Sequence, residues 1–257
     1  MVVEDTKRVK DYLNKSKLTT LDYVINPFVG CPAKCLYCYA AYMVGFSKHS
    51  KAWGEFIDIK QTRKRINIFK IKNKKVLIST VTDPYNPYEK KHEITRKIMT
   101  QLVPSEAFIS VVTKYKLVLR DVDLFKKMKH VEIALSISTV DENMRKKLEP
   151  FVSSVEERLE TLKILKENGI RTVVFIAPVI PEITDFKKII ELTKDYTDEY
   201  WFDCLLSGQV LKQISSSLFR KNIRYLNRFT KISTTKSIRN TLKNFQKKLI
   251  SIVKRTV

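Results

Sequence analysis

The sequence is organised around one short stretch, Gly30-Cys31-Pro32-Ala33-Lys34-Cys35-Leu36-Tyr37-Cys38-Tyr39, which holds three of the four cysteines in a C-x3-C-x2-C triplet. A loop with three thiolates suits three irons of a [4Fe–4S] cluster, although an ordinary cluster of this kind takes four cysteines. Three ligands leave one iron open for an exchangeable ligand, as a catalytic metal site requires. A structural site, zinc or a closed cluster with the distant Cys204 as fourth ligand, stays open as an alternative.

Apolar, β-branched segments and helical patterns alternate along the chain on both sides of this triplet. Strands are predicted over residues 23–25, 76–80, 108–113, 131–137, 171–177 and 200–206, and helices over 94–102, 155–168 and 185–196. Ser154 and Glu157 form a capping box at the start of the second helix, and Gly169 follows its end. Several strand segments lack a clean two-residue alternation, which predicts parallel strands buried on both faces.

This alternation predicts an α/β fold made of βαβ units with right-handed crossovers. Six such units make an open, partial (β/α)6 TIM-like barrel rather than a closed barrel of eight strands. Functional residues of such a sheet gather at the carboxyl ends of the strands, where the loops converge. We therefore expect a site at that end of the sheet, beside the cysteine triplet.

The composition is that of a folded and strongly basic protein. The chain has 257 residues, with 49 Lys and Arg against 27 Asp and Glu, a formal net charge of +22, and 44% hydrophobic residues. This excludes disorder, collagen and coiled coil, and no uncharged apolar run approaches the ~18 residues of a membrane span. Residues 1–17 lack the apolar core of a secretory signal, so we expect a cytoplasmic protein that does not associate with membranes.

The composition changes at residue 204. Residues 204–257 contain 13 Lys and Arg and no Asp or Glu. Apolar residues recur there at helical spacing and predict one or two helices. We therefore predict a barrel domain over residues 1–206 and a basic helical C-terminal extension over residues 207–257 that packs on the barrel.

Six motifs follow one another along the chain, at residues 25–40, 53–60, 79–85, 112–115, 134–137 and 175–178. In composition and order they resemble the motifs of radical SAM enzymes, above all the branch that contains spore photoproduct lyase. The resemblance implies an enzyme of lyase or transferase type that binds a [4Fe–4S] cluster and S-adenosylmethionine (SAM). It also implies reductive cleavage of SAM to a 5′-deoxyadenosyl radical, which takes a hydrogen atom from the substrate.

The resemblance implies a role for individual residues at the matching positions. The cluster ligands are Cys31, Cys35 and Cys38. Lys114 and Ser136 bind the SAM carboxylate, and Thr82 and Asp83 hydrogen-bond the ribose hydroxyls. Tyr37 lies near the adenine, which Ala177 and Pro178 flank. A cation and a hydroxyl are sensible partners for a carboxylate.

The sequence departs from spore photoproduct lyase in its second-strand motif, where that enzyme has a cysteine that returns a hydrogen atom to the product. Thr80 occupies the matching position here, and a hydroxyl O–H bond is too strong for a ready hydrogen donor. Cys204 is the candidate for that catalytic role, with plain core packing as the alternative. Tyr85 is a second catalytic candidate, as part of a radical relay with Tyr39 and Tyr88.

The substrate and the partners follow less directly from the sequence. A nucleic-acid substrate fits the positive charge, because phosphate neutralisation dominates such affinity. An acidic peptide or a protein side chain is the rival substrate class. The resemblance implies an external electron donor of the flavodoxin or ferredoxin type. A non-catalytic, metal-stabilised nucleic-acid-binding module stays open as a function of a different class.

Overall fold

The structure, a computed structural model, describes residues 2–43, 49–180 and 182–203. Its strands are β1 (Val3–Arg8), β2 (Leu13–Lys15), β3 (Tyr23–Ile25), β4 (Phe28–Val29), β5 (Phe56–Gln61), β6 (Lys75–Ile78), β7 (Phe108–Thr113), β8 (Val131–Ser136), β9 (Arg171–Ile176) and β10 (Glu199–Phe202). The α-helices are α1 (Glu89–His92), α2 (Ile94–Leu102), α3 (Val122–Phe125), α4 (Glu142–Leu148), α5 (Val155–Glu167) and α6 (Phe186–Thr193). Short 3-10 helices cover Tyr39–Tyr42, Phe69–Ile71, Lys116–Asp121 and Lys194–Tyr196.

Seven strands form the main sheet in the order β10-β9-β8-β7-β6-β3-β2. The six strands from β3 to β10 in this sheet are mutually parallel, and β2 adds an antiparallel edge. Helices connect β6 to β7, β7 to β8, β8 to β9 and β9 to β10. The prediction of an α/β partial barrel with six parallel strands is confirmed.

The bounds and caps of α2 and α5 agree with the sequence patterns that predicted them. α2 has the predicted bounds, and Ser154 and Glu157 form the capping box of α5 with both reciprocal hydrogen bonds. Gly169 adopts a φ of +74°, a left-handed conformation that stops the helix at little steric cost.

A second, smaller sheet was not predicted from the sequence. It has three strands in the order β1-β5-β4, with β1 parallel to β5 and β4 antiparallel to it. β4 immediately precedes the cysteine triplet, so this sheet holds the start of the loop. β1 is exposed along its whole length, and its charged sequence lacks the apolar pattern by which strands are recognised.

One face of β7 in the main sheet is less completely buried than the other. In β7, Ile109, Val111 and Thr113 are buried, whereas Ser110 and Val112 are only half-buried. Two cavities lie along this face, one of about 190 Å³ at the carboxyl ends of the strands and one of about 1070 Å³ toward their amino ends. Val112 and Phe175 line both cavities. The expectation that the strands are buried on both faces is therefore wrong for β7, because one face borders these cavities.

Several predictions fall on residues 204–257, which lie outside the described residues. These are the domain boundary at residue 206, the helical extension over 207–257, and Cys204. Within the described ranges, no helix combines the length and the apolar character needed to cross a membrane.

Candidate functional site

The smaller cavity brings together most of the predicted site residues. The ten that line it are Cys31, Cys35, Tyr37, Cys38, Thr82, Asp83, Lys114, Ser136, Ala177 and Pro178. They come from the cysteine loop and from the segments that follow β6, β7, β8 and β9. Tertiary structure thus gathers residues that span about 150 positions of sequence at the predicted end of the sheet.

The three thiols share one buried environment. Cys31 is buried, and Cys35 and Cys38 are half-buried. Burial raises the pKa of Cys31 to about 12 and raises the pKa values of Cys35 and Cys38 as well. The thiols are therefore protonated in the metal-free chain, and a bound iron has to displace those protons.

The donor set is of the type that iron–sulfur clusters take. The cysteine ligands of a cluster bind different irons and need not converge on one ion. Three thiols of one loop line one cavity, which is compatible with such a cluster. In the part of the chain that the structure describes, no group of three or more His, Cys, Asp or Glu side chains is arranged to hold a single metal ion.

The backbone next to Cys31 is held by close packing. Gly30 has a φ of +82°, and a Cβ atom at this position would lie 2.3 Å from the carbonyl oxygen of Phe56. The Thr82 hydroxyl donates to the Gly30 carbonyl oxygen over 2.8 Å. Gly30 thus lets the loop approach β5, and Thr82 fixes the loop to the segment after β6.

Polar groups near two of the sulfur atoms oppose the effect of burial on the thiols. Backbone groups of Asp83 and Ala33 act to lower the pKa of Cys31. The Ala40 backbone and the Trp53 side chain act to lower the pKa of Cys38. Such groups stabilise thiolates and tune the potential of a cluster that the thiolates hold.

Lys114 is one of two lysines that line the cavity, beside Lys34. Its ammonium lies 5.8 Å from the centroid of the Tyr37 ring, and within the described ranges it makes no hydrogen bond and no ion pair. Burial alone would lower the pKa of Lys114, but the carboxylates of Glu149 and Asp83 help to raise it above its usual range. A charged and unpaired ammonium at the wall of a cavity is suited to bind an anionic ligand such as a carboxylate.

The other predicted SAM contacts already have partners in the protein. The Asp83 carboxylate accepts hydrogen bonds from the Thr113 hydroxyl at 2.7 Å, the Lys114 amide at 2.7 Å and the Tyr85 amide at 3.0 Å. The Ser136 hydroxyl donates to the Ala177 carbonyl over 3.3 Å. Asp83 therefore braces the ends of β6 and β7 against each other, and its proposed contact with a ribose would be additional to this role.

The structure places Tyr85 outside the lining of this cavity, and its catalytic role stays a prediction. Its side chain is fully buried, and its hydroxyl donates to Asp121 over 3.0 Å. Tyr88 does not line the cavity either, whereas Tyr39 does and donates to the Thr80 carbonyl over 2.7 Å. The cause is local, because the turn after Asp83 directs the Tyr85 ring into the core.

Glu149 and Arg158 were missed by the sequence-based reasoning. Both side chains are 1% exposed, and they form an ion pair of 2.5 Å beneath the cysteine loop. Arg158 lies on the buried face of α5, between Val155 and Leu162 at helical spacing. A charged residue among apolar positions of one helix face requires a buried partner, and that signal was available. Glu149 lies in a loop and carries no comparable signal.

Comparisons with known proteins identify the family of the chain. Residues 25–193 match the profile of the Radical SAM superfamily. An uncharacterized protein of Methanocaldococcus jannaschii is 40% identical over 202 residues, which cover 77% of this chain and 76% of the relative. An uncharacterized protein of Acidianus two-tailed virus is 28% identical over 171 residues, which cover 62% of this chain and 56% of the relative.

Solved structures of spore photoproduct lyase share the fold. The enzyme complexed with dinucleoside spore photoproduct aligns with a TM-score of 0.62 at 16% identity, covering 85% of this chain and 66% of that one. A mutant with bound AdoMet and the same dinucleoside aligns with a TM-score of 0.63 at 17% identity. This chain thus spans slightly less than two thirds of the length of those proteins. Since the superfamily profile matches well over half of the chain, and a 40%-identical relative is matched over three quarters of it, the chain belongs to the radical SAM superfamily.

Proposed function

We propose that this protein is a radical SAM enzyme in which Cys31, Cys35 and Cys38 hold a [4Fe–4S] cluster with one open iron for SAM. The observation that supports it most directly is the cavity where three thiols of one loop meet the unpaired ammonium of Lys114. Bound and reduced, the cluster with SAM supplies a 5′-deoxyadenosyl radical that abstracts hydrogen from a substrate. Every other step is a matter of binding and positioning by the chain itself.

Each lining residue has a defined task in this proposal. Lys114 binds the SAM carboxylate, and Ser136 assists through its hydroxyl. Asp83 holds the backbone of Lys114 in place and thereby positions that cation. Ala177 and Pro178 pack beside the adenine, and Val112 with Phe175 forms the boundary toward the larger cavity. The cavity walls exclude water from the reacting atoms.

The substrate class that we propose is a nucleic acid. Support comes from the net charge of +22 and from residues 204–257, which contain 13 basic and no acidic residues. Titration with duplex DNA, RNA and a neutral ligand at two salt concentrations tests this. Affinity that falls steeply with salt supports a polyanion, and affinity independent of salt contradicts it. Capture of an acidic peptide in place of DNA or RNA would favour a peptide-modifying enzyme.

The enzyme class is tested by reconstitution. The full chain is loaded with iron and sulfide under anaerobic conditions, and SAM and dithionite, standing in for a flavodoxin- or ferredoxin-like donor, are added. We expect about four iron per chain and formation of 5′-deoxyadenosine, both lost in Cys31→Ala. No product above that control would contradict the proposal, and one zinc without iron would favour a metal-stabilised binding module.

Cys204→Ala separates the open cluster from a closed one. If three thiolates hold the cluster, this variant keeps the iron content and the SAM cleavage of the wild type. If Cys204 is the fourth ligand, the variant loses iron as Cys31→Ala does, and the proposal fails. Retained SAM cleavage with lost turnover of a substrate would support the hydrogen-donor role proposed for Cys204.

A further inference from the structure

A buried polar group holds the cysteine loop from outside the cavity. The Glu149 carboxylate accepts hydrogen bonds from the Tyr37 hydroxyl and from Arg158. One residue earlier, the carbonyl oxygen of Leu148 accepts a hydrogen bond of 2.8 Å from the Leu36 amide. Two consecutive residues at the end of α4, Leu148 and Glu149, thus hydrogen-bond two consecutive residues of the cysteine loop. The residues held in this way, Leu36 and Tyr37, lie between Cys35 and Cys38, where any displacement moves a thiol.

Arg158 connects these two hydrogen bonds to the rest of the site. Its guanidinium donates to the Ser136 carbonyl over 2.8 Å and to the Ser153 carbonyl over 3.0 Å. Ser136 lines the cavity on the wall that β8 supplies. A chain of contacts from Tyr37 through Glu149 and Arg158 to Ser136 therefore sets the separation of the cysteine loop and the end of β8.

The Glu149 charge is needed for this arrangement. Burial alone would raise the pKa of Glu149, but Arg158 and Lys114 lower it below its usual range, so the carboxylate is ionised. An ionised carboxylate accepts from a hydroxyl and a guanidinium at once and donates to neither. Its neutral amide analogue has only one oxygen acceptor and cannot satisfy both partners in the same way.

We infer that Glu149 is a positioning residue of this site, which acts through Tyr37 to hold the cysteine loop in the geometry that retains a cluster. The inference rests on the proposed function, because it assigns these hydrogen bonds a role in cluster binding. Glu149 touches neither a thiol nor the cavity. Its effect is transmitted by the Tyr37 hydroxyl.

A second buried carboxylate offers a matched control. Glu89 is fully buried and pairs with Arg120 at 2.6 Å, and it also accepts from the Thr95 amide at 2.8 Å. It does not line the cavity. Glu89→Gln therefore removes a buried, arginine-paired charge of the same kind without touching the cysteine loop.

The test compares iron release from the anaerobically reconstituted full chain to a ferrous chelator. We expect Glu149→Gln to release iron roughly tenfold faster than the wild type, as loss of an outer-shell contact does at other metal sites. Glu89→Gln is measured at a temperature at which its free energy of unfolding equals that of Glu149→Gln. Its rate of iron release should stay within about twofold of the wild-type rate. Tyr37→Phe keeps the ion pair intact and accelerates release like Glu149→Gln. The double variant is no faster than the faster single one, because both act through one contact.

Two results overturn the inference. One is Glu149→Gln releasing iron at the rate of Glu89→Gln, and the other is Tyr37→Phe releasing it at the wild-type rate. If Glu149→Gln does not fold, Tyr37→Phe alone decides. A wild type that binds no iron–sulfur cluster is a different failure, since it refutes the proposed function itself.

Discussion

Charged residues lie at both ends of the parallel strands, but their solvent exposure differs between the two ends. At the amino ends, Arg171 pairs with Glu132 and Glu199, and its side chain is 50% exposed. At the carboxyl ends, Glu149 and Arg158 are each 1% exposed, and Lys114 faces a cavity without a partner among the described residues. Exposed pairs contribute little to stability, whereas buried charges are costly unless they are matched. The buried charges Glu149 and Arg158, whose desolvation is costly, therefore lie at the end of the sheet that carries the cysteines.

The largest expected difference between the ends concerns ion pairs. Arg158→Met leaves the buried Glu149 carboxylate without its counter-charge and should lower the free energy of unfolding by about 3–5 kcal/mol. Arg171→Met, at the exposed end, should lower it by at most about 1 kcal/mol. Urea denaturation of both variants checks this. Equal losses would contradict the distinction between the two ends.

Two of the three glycines that have a positive φ in the described residues, Gly30 and Gly169, give the second comparison. Gly30→Ala places a Cβ atom 2.3 Å from a backbone oxygen, and should cost about 3 kcal/mol through strain and overpacking together. Gly169, beside the larger cavity, has open space where its Cβ would be, so Gly169→Ala should cost only the backbone strain of about 1 kcal/mol. Thermal unfolding measures both, and iron content should fall only in Gly30→Ala. A Gly30→Ala protein as stable as Gly169→Ala would refute the close approach to β5.

Two lysines test whether an unpaired cation differs from a paired one. Lys114→Gln should raise the dissociation constant of SAM on the cluster-loaded protein roughly 10–100-fold, because it removes a hydrogen bond between charged groups. Lys129 is exposed and pairs with Glu106 at 3.1 Å beside the larger cavity, so Lys129→Gln should leave SAM binding unchanged. Equilibrium dialysis with labelled SAM measures both constants. An unchanged constant in Lys114→Gln would remove Lys114 from the SAM site.

The smallest expected effect concerns two buried hydroxyls. Thr82 donates to the Gly30 carbonyl, and Thr172 donates to the Tyr196 carbonyl at 2.7 Å near the other end of the sheet. Replacement of either by Val should lower the free energy of unfolding by about 1 kcal/mol. SAM affinity should change by less than about threefold in Thr82→Val, because this hydroxyl is already engaged. A larger loss would restore Thr82 as a direct ligand contact.

Local sequence signals were sufficient for the framework and for the chemistry of the loop. The bounds of α2, the capping box at Ser154 and the stop at Gly169 depend on a few neighbouring residues, so they could be predicted. The cysteine spacing placed three thiols in one loop for the same reason. The three-stranded sheet could not be predicted, because the charged strand β1 is stabilised by pairing with β5 rather than by its own pattern.

The sequence by itself determined the alternation of strands and helices in the main sheet, the cysteine triplet and the family, since each depends on residue type and spacing along the chain. Only the tertiary structure decided which of the candidate residues share a cavity. It buried Tyr85 against Asp121, engaged Thr82 and Asp83 with protein partners, and joined Glu149 to Tyr37 across 112 positions. The physical reason is that burial and pairing of a charge depend on groups distant in sequence, which the chain brings together only when it folds.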